Sequence, residues 1–270
     1  MTGRRCPQCG TGNESETALG YSHGDWLLKR CTACAFVYLE NPPAYEELET
    51  DLAWERVGRK ERQERVYRRS PLRSMASRAV RTLRSRLAVR ANPLLRRVER
   101  WFPAGPVVDI GCGRGAKLAS LPERFELVGI EISRDLAREA RERLASRGGV
   151  VHQMPAIEGL EEVPARSLAG IVANAFLEHE IRPRELLQAA ARALSPAGAM
   201  IVKVPNYACM NRHVMGAGWC GFRFPGHVNY FTPGSLRRMV EASGMEVAEF
   251  RWVDRIPTSD NMWMVVRRSP

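Results

Sequence analysis

A ten-residue stretch, VVDIGCGRGA at positions 107–116, constrains the fold more than any other part of the 270-residue chain. Its apolar run contains one acid, Asp109, and is followed by glycines at alternate positions, Gly111, Gly113 and Gly115. The run predicts a buried strand, and the glycines predict a tight turn where the backbone approaches a ligand with no Cβ in the way. In α/β proteins such a turn follows the first parallel strand and lies at the edge of the sheet where ligands bind.

Strand and helix patterns alternate from residue 104 to residue 270. We predict strands at 107–110, 127–132, 150–152, 168–174, 200–204, 247–252 and 262–267. Helices are predicted from near Gly115 and over 133–149, 182–198 and 232–244. This order predicts a doubly wound α/β sheet that is mostly parallel. The last two strands leave no room for a crossover helix, so they are expected to pair antiparallel.

The glycine turn alone does not decide the ligand, because Gly111, Gly113 and Ala116 also fit the G-x-G-x-x-G/A fingerprint of dinucleotide sites. Asp109 argues against a dinucleotide, since its carboxylate would lie beside the pyrophosphate and repel it. S-adenosylmethionine carries an ammonium and a sulfonium, which a carboxylate attracts. Glu131, in the next strand, is placed to accept hydrogen bonds from ribose hydroxyls and fits both ligands.

Four cysteines near the N-terminus form the pattern C-x2-C-x21-C-x2-C, and they are Cys6, Cys9, Cys31 and Cys34. Paired C-x-x-C turns that bring four thiolates together are typical of a structural zinc site. We therefore predict a zinc ribbon over residues 1–43, whose small core would depend on the metal for stability. The alternative is a pair of turns that packs without metal.

Positive charge is concentrated in one segment of the chain. The formal net charge is +11, and residues 56–100 alone hold sixteen Lys and Arg against three acids. Within the segment 44–103, residues 72–90 have apolar side chains at helical spacing and predict a basic amphipathic helix. We favour a helix that covers the main domain or exposes a solvated charged face. Contact with a membrane surface or a nucleic acid is the alternative.

The sequence contains no apolar stretch of the roughly 18 residues that a membrane span needs. No apolar segment follows the arginines near the N-terminus, as it would in a secretory signal. Cysteines arranged as metal ligands are typical of a reducing compartment. We therefore expect a cytoplasmic protein.

Four stretches of the sequence carry a resemblance to a known family. They are VVDIGCGRG, VGIEIS, AFLEHEIRPRELLQAAARALSPAGAMIVKVPN and HVNYFTPGSLRRMVEASGM, all within residues 104–270. Together they resemble the class I S-adenosylmethionine-dependent methyltransferases that act on small molecules. Several members of the wider group, including sugar C-methyltransferases, begin with a zinc-binding segment like CPQCG…CTACAFVYL. The resemblance implies a Rossmann-like seven-stranded α/β methyltransferase sheet with an antiparallel last strand, preceded by a small zinc ribbon and a basic helical segment.

The resemblance also implies which residues contact the donor. They are Asp109, Gly111, Cys112, Gly113 and Gly115 at the methionine part, Glu131 and Ile132 at the ribose, Gln153 and Met154 at the adenine, and Asn174, Ala175 and Phe176 beside the methyl group. At the adenine the family often has an acid, which Gln153 or Met154 would replace here.

An acceptor hydroxyl or carbon needs a base within hydrogen-bond reach. The candidates are His179, just past the fourth strand, and His227 and Tyr230, in the loop after the fifth. Helix capping and packing are the alternative roles of all three. Some quinone-biosynthesis O-methyltransferases of similar pattern bind a divalent metal through two glutamates and a histidine. Glu178 and His179 match two of these ligands, but Ala175 replaces the first glutamate, so no catalytic metal is predicted.

The loop at 207–233 has no clear periodicity over 27 residues, which is typical of a binding element. Its aromatic residues predict either an acceptor pocket or the core of a compact loop. They are Trp219, Phe222, Phe224 and Tyr230.

These patterns predict transfer of a methyl group to an oxygen or carbon of a small molecule, such as a sugar or another biosynthetic intermediate. A methyltransferase for RNA or another nucleic acid is the first alternative, prompted by the ribbon and the basic segment. It is not favoured, because NAFL stands where enzymes that methylate base amines have [ND]-P-P-[YF]. A catalytically silent protein that binds S-adenosylmethionine is the second alternative, and an NAD-dependent oxidoreductase is the third.

Overall fold

The structure is a computed structural model that describes residues 3–44, 47 and 92–269. The predicted basic helix at 72–90 and most of the segment 44–103 lie outside these residues. None of the described helices is long and apolar enough to cross a membrane.

A seven-stranded sheet forms the centre of the described part of the chain. Its strands are β3 (Gly105–Ile110), β4 (Phe125–Ile130), β5 (Val150–His152), β6 (Leu168–Asn174), β7 (Leu194–Pro205), β9 (Met245–Glu249) and β10 (Asn261–Arg268). The strands β1 (Leu28–Arg30), β2 (Val37–Leu39) and β8 (Asn229–Tyr230) form a second, smaller sheet. The order across the large sheet is β5-β4-β3-β6-β7-β10-β9. Its first five strands are parallel, and β10 runs antiparallel to both of its neighbours. The predicted seven-stranded sheet with an antiparallel last strand is confirmed.

Helices cover both faces of this sheet. They are α1 (Pro93–Trp101), α2 (Ala116–Ala119), α3 (Arg134–Leu144), α4 (Ala156–Glu161), α5 (Pro183–Ala193) and α7 (Pro233–Glu241). Another short helix, α6 (Met210–Met215), lies in the loop after β7 and buries none of its residues. Along β3, Val108 and Ile110 pack with α4, α5 and α7, whereas Val107 packs with α1, α2 and α3. Successive side chains of a strand point to opposite faces, so the two apolar clusters lie on opposite sides of the sheet.

Several of these helices begin or end at the capping residues that the sequence predicts. The Ser133 side chain accepts a hydrogen bond from the backbone N–H of Leu136 and caps α3. Gly148 takes a left-handed conformation just after the last turn. Thr232 and Ser235 form a reciprocal capping box at the start of α7.

The observed helices differ from the predicted ones at several points. The helix predicted at 182–198 ends at Ala193, because Leu194 is already extended and pairs with Leu168 of β6. Strand pairing therefore overrides an alanine-rich pattern that would have continued the helix. The short helix α4 was not predicted, because six residues are too few to show a helical period.

The N-terminal ribbon joins the rest of the protein through backbone hydrogen bonds. Strands β1 and β2 form an antiparallel hairpin, and β8 extends it to a three-stranded sheet. In this sheet Val37 lies opposite Tyr230, and Tyr38 lies opposite Asn229. Apolar side chains of the hairpin, such as Leu28, pack in one cluster with residues of the 207–230 loop. The ribbon and that loop therefore form a single packed unit.

Helix α1 is held to the sheet by a buried cation. Arg97 is only 5% exposed. Its Nη2 lies 2.7 Å from Oδ2 of Asp254, and its Nε lies 3.2 Å from Oε1 of Glu249. The guanidinium also lies over the ring of Trp263, 5.2 Å from the centroid. This arginine, at the end of the basic segment, serves as an internal counter-ion.

Candidate functional site

The site lies where the parallel strands β3, β4 and β6 end. Ile110 lies opposite Ile130 in the sheet, so the segments that follow the two strands start side by side. The glycine loop continues this pairing, since the backbone N–H of Gly111 donates to the Ile130 carbonyl at 2.8 Å. Gly111 and Gly113 both have positive φ, which L side chains rarely adopt. Because these glycines have no side chain, a ligand at this edge of the sheet can approach the loop's backbone closely.

Asp109 is a buried carboxylate directly before the loop. It is 2% exposed, and its Oδ2 makes no hydrogen bond within the described residues. Burial raises the pKa of Asp109 to about 7, while Lys117 lowers it and Glu131 raises it further. A buried acceptor without a partner is costly, so a ligand with a cationic donor group would stabilise this side chain.

Glu131 links the glycine loop to the next helix. One carboxylate oxygen accepts a hydrogen bond from the N–H of Gly113 at 2.8 Å, and the other accepts from the N–H of Ser133 at 2.9 Å. Glu131 therefore fixes both the glycine loop and the start of α3.

Residues 174–176 lie across from the glycine loop. Asn174 ends β6, and Ala175 has a φ of +59°, which is rare for a residue with a side chain. The ring of Phe176 lies so close to Gly111 that a Cβ there would be 2.5 Å from Cδ2 of the ring. The strained turn at Ala175 thus brings Phe176 against the loop, and the sequence pattern does not reveal this strain.

The other predicted donor residues lie at the same edge of the sheet. Ile132 directly follows Glu131, and Gln153 and Met154 directly follow β5, all three half-buried. Cys112 is buried, and its sulfur lies beside Gly129, where a Cβ would be 2.7 Å away. Burial strongly raises the pKa of the Cys112 thiol, so this group stays neutral and serves to pack the loop.

Glu178, His179 and His227 come together next to this edge. One possible ligand atom from each lies within 4.8 Å of those of the other two. The two imidazole rings meet edge to face with centroids 4.6 Å apart. Nδ1 of His179 lies 2.7 Å from the Gly226 carbonyl, and Nδ1 of His227 lies 2.8 Å from the Gly221 carbonyl. A carbonyl only accepts, so in each neutral ring Nδ1 carries the hydrogen and Nε2 is the basic nitrogen.

Burial sets the charge state of this cluster. It raises the pKa of Glu178 to about 7, and Lys203 and Arg223 counteract this. Glu178 is 1% exposed, and its Oε2 has no hydrogen-bond partner among the residues the structure describes. Burial lowers the pKa of His179 to about 4, so the imidazole is neutral near pH 7. A neutral imidazole beside a carboxyl can accept a proton from a bound hydroxyl, and the same ligand set can hold a divalent cation.

Sequence reasoning missed two charged groups of this site. Glu178 was noted only as a match to a metal-binding pattern, and its burial was not anticipated. Lys203 is half-buried near the end of β7, and burial lowers its pKa. A lone lysine in the otherwise apolar run MIVKVP was a signal that could have pointed to it.

Tyr230 packs among the aromatic residues of the loop. Its ring packs 5.7 Å from that of Tyr207 and 5.6 Å from that of Phe222, inside the apolar cluster shared with the ribbon. Trp219 is fully buried in the same cluster. The sequence left two interpretations of these aromatic residues, and the structure shows them packed as the core of a compact loop. We therefore leave Tyr230 out of the proposed chemistry.

The four N-terminal cysteines converge as their spacing predicts. The sulfurs of Cys6 and Cys34 are 3.5 Å apart, as are those of Cys9 and Cys31, and all four lie within 4.8 Å of one another. None of them forms a disulfide. Tetrahedral zinc with Zn–S bonds of about 2.3 Å places sulfurs about 3.8 Å apart, so this set can bind zinc with little adjustment.

Comparisons with known proteins agree with this geometry. A family model described as "Methyltransferase domain" matches residues 75–249, more than half of the chain. A ubiquinone biosynthesis O-methyltransferase of Idiomarina loihiensis is 27% identical over 52% of this chain and 61% of its own length. A trans-aconitate 2-methyltransferase of Methylobacterium nodulans is 34% identical over 43% of this chain and 44% of its own length. The matched region thus spans less than two thirds of either relative.

A solved structure shows the same fold. The crystal structure of a SAM dependent methyltransferase from Archaeoglobus fulgidus superimposes with a TM-score of 0.50. The match covers 65% of this chain and 91% of that chain at 21% identity. At this identity the likeness concerns the fold alone.

Proposed function

The chain belongs to the class I S-adenosylmethionine-dependent methyltransferases, and we propose that it transfers the donor's methyl group to an oxygen of a small-molecule acceptor. The observation that carries the proposal is the buried, unpartnered carboxylate oxygen of Asp109 directly before a backbone-exposing glycine loop. An oxygen is favoured over carbon because a relative is named an O-methyltransferase. The zinc that four cysteines can hold is structural, since four thiolates leave no open position.

In the proposed donor site, negatively charged side chains select the ligand. S-adenosylmethionine supplies, when bound, a methyl group on a positively charged sulfur that is already activated for displacement. Asp109 would attract its positive charges, and Glu131 would accept from the ribose. Asn174, Ala175 and Phe176 would line the methyl group. A pyrophosphate in the same place would face two carboxylates, which supports this donor over NAD.

The acceptor side needs alignment, exclusion of water and a base. His179 is proposed as the base, because its neutral imidazole presents a basic Nε2 while the Gly226 carbonyl holds Nδ1. As the acceptor oxygen bonds to the methyl carbon, the bond between that carbon and the donor's sulfur would break and leave a neutral thioether. The acceptor's hydroxyl proton would pass to Nε2 of His179. The carboxylate of Glu178 lies within 4.8 Å and would stabilise the imidazolium that forms.

Two measurements test this function. Calorimetric titration is expected to show binding of S-adenosylmethionine and none of NAD, and binding of NAD alone would overturn the donor assignment. Incubation with methyl-labelled donor and a cell extract is then expected to place label in small molecules. Label in RNA and in no small molecule would establish the nucleic-acid alternative. Donor binding without any transfer would establish a silent binding protein.

Replacing Asp109 by asparagine is expected to weaken donor binding roughly 10- to 100-fold at pH 8, because a charge-assisted contact is lost. The wild type should also lose affinity as pH falls. With a pKa of about 7, Asp109 becomes protonated below that pH and no longer attracts a cation, so affinity should be about tenfold lower at pH 6 than at pH 8. The asparagine variant should show little of this slope. Calorimetry with S-adenosylmethionine at several pH values measures both effects.

The matched control is Asp135→Asn, because Asp135 is an exposed acid in the first turn of α3. It should keep both the affinity and the pH slope of the wild type. Lys117 and Glu131, the charged groups that act on Asp109, are unchanged in both variants. Equal affinity in the wild type and Asp109→Asn would remove Asp109 from the donor site.

A further inference from the structure

The side chain of Arg4 reaches from the ribbon to the acceptor side of the site. Its guanidinium donates to the carbonyl of Val228 at 3.2 Å and to Oδ1 of Asn229 at 3.1 Å. It also donates to the carbonyl of Ile181. One fork therefore ties the turn that follows His179 to the loop that follows His227.

Asn229 continues this connection inside the protein. It is 2% exposed, and its Nδ2 donates to the carbonyls of Leu177 at 2.9 Å and Glu180 at 2.6 Å. The backbone N–H groups of Val228 and Asn229 both donate to the carbonyl of Glu178, at 2.8 and 3.1 Å. The turn at 177–181 is thus bonded on several sides to residues that pair with the ribbon.

The ribbon contributes strand pairing and packing to the same region. The N–H of Leu39 donates to the Val228 carbonyl at 3.0 Å, and β2 pairs with β8. Phe36 packs against Phe231 with ring centroids 5.3 Å apart. Cys6 and Cys31 belong to the same apolar cluster as Leu177. The thiolate site, the hairpin and the acceptor-side turn therefore lie in continuous contact.

The donor loop is built differently. Within the ranges 3–44 and 92–269, residues 109–115 pair with β4 and β6, bond to Glu131 and within the loop or to α2, and form an ion pair with α3 through Arg114 and Glu139. None of these hydrogen bonds or ion pairs runs to the ribbon. A change in the ribbon should therefore affect the hydrogen bonds of the acceptor-side turn directly and leave those of the donor loop in place.

We propose that Arg4 is a positioning residue that couples the metal ribbon to the acceptor side of the active site, by holding the turn at 177–181 against the loop at 226–230. It touches neither donor nor acceptor and acts through Glu178, His179 and His227. The metal ribbon is then part of the acceptor site, and loss of its metal displaces these three side chains. The inference rests on the proposed function only in calling this region the acceptor side.

The test follows the histidine rings by NMR in protein labelled at the ring Cε1 position of its five histidines. In Arg4→Lys, which keeps the charge and loses the fork, the signals of His179 and His227 should shift. The signals of His152 and His213 should not, and the affinity for S-adenosylmethionine should stay within about twofold. Removing the metal from the wild type with a chelator should shift the same two signals. Metal content measured by mass spectrometry should remain unchanged in Arg4→Lys.

Arg5→Lys is the matched control, since Arg5 is exposed and its Nε bonds only the nearby Gly10 carbonyl at 2.7 Å. It should move none of these signals. Arg4→Met, which removes all donors and keeps the apolar stem, should move the His179 and His227 signals further than Arg4→Lys. The proposal is overturned if the His179 and His227 signals do not shift in either Arg4 variant. It is also overturned if all histidine signals shift equally and the variants lose affinity for S-adenosylmethionine. Failure of the wild type to bind S-adenosylmethionine would instead refute the proposed function.

Discussion

Replacing His179 by asparagine is expected to slow methyl transfer at least about 100-fold and to leave donor affinity unchanged. The asparagine amide can still donate to the Gly226 carbonyl, as Nδ1 of His179 does at 2.7 Å. It has no counterpart to the basic Nε2, so the acceptor's proton has no destination. Single-turnover transfer of labelled methyl to the identified acceptor measures the rate, and calorimetry measures donor binding.

The control is His213→Asn, because His213 is exposed on α6 and outside the cluster. Its rate should equal that of the wild type. An unchanged rate in His179→Asn would show that the acceptor is already ionised when it binds, and would remove His179 from the mechanism. A matching loss of donor affinity would instead indicate a structural role for the ring.

Replacing Arg97 by methionine is expected to lower the free energy of unfolding by about 3–5 kcal/mol. Methionine keeps the apolar stem but leaves Asp254 and Glu249, both largely buried, without their shared cation. Burial already raises the pKa of Asp254 and Arg97 counteracts this, so the variant should bind a proton more readily when folded. Its deficit relative to the wild type should therefore shrink as pH falls from 8 to 5. Urea denaturation at both pH values measures this.

Arg100→Met provides the comparison on the same helix. Its side chain is 70% exposed, and Nη1 lies 3.5 Å from Oε2 of Glu249. An exposed ion pair contributes little, so the loss should stay below about 1 kcal/mol. An equal decrease in the free energy of unfolding in the two variants would show that burial of Arg97 with Asp254 and Glu249 adds nothing to stability.

Much of the donor side follows from local sequence signals. Asp109 and the glycines form one motif, and Glu131 follows the next strand. Parallel strands place their carboxyl ends at one edge, so predicting the sheet was enough to bring these residues together. Ser133 similarly marks a helix start that depends only on its own turn. The strained turn at Ala175 has no such local signal, because alanine gives no indication of a positive φ.

The proposed acceptor side was harder to predict, because the cluster of Glu178, His179 and His227 depends on contacts between distant segments. His179 and His227 were both proposed as bases, but no residue near either of them in the sequence indicates that their rings are in contact. Their meeting requires a loop without periodicity to fold back, and Asn229 holds that loop with a buried amide. A buried asparagine looks like any other polar loop residue in a sequence.

The position of the ribbon was likewise not predictable, because it too depends on contacts between distant segments. The spacing of its cysteines predicts a metal site, since ligand geometry is local. Its docking on Asn229–Tyr230 is a pairing of short strands, and two or three residues carry too little pattern to predict a partner. The prediction of a ribbon over residues 1–43 therefore anticipated the cluster of four cysteines and not its docking on the loop that contains His227.

That docking also sets the order in which the protein can be assembled on the ribosome. Arg4 and its partner Val228 are separated by 224 residues. At about 5–20 residues per second, more than ten seconds would pass between their synthesis. During this time the cysteines can bind metal and form the hairpin, but β2 has one unpaired edge, a feature that invites pairing with other chains. The hairpin is thus synthesised well before β8, the strand that completes its sheet, and the edge of β2 stays open during that interval.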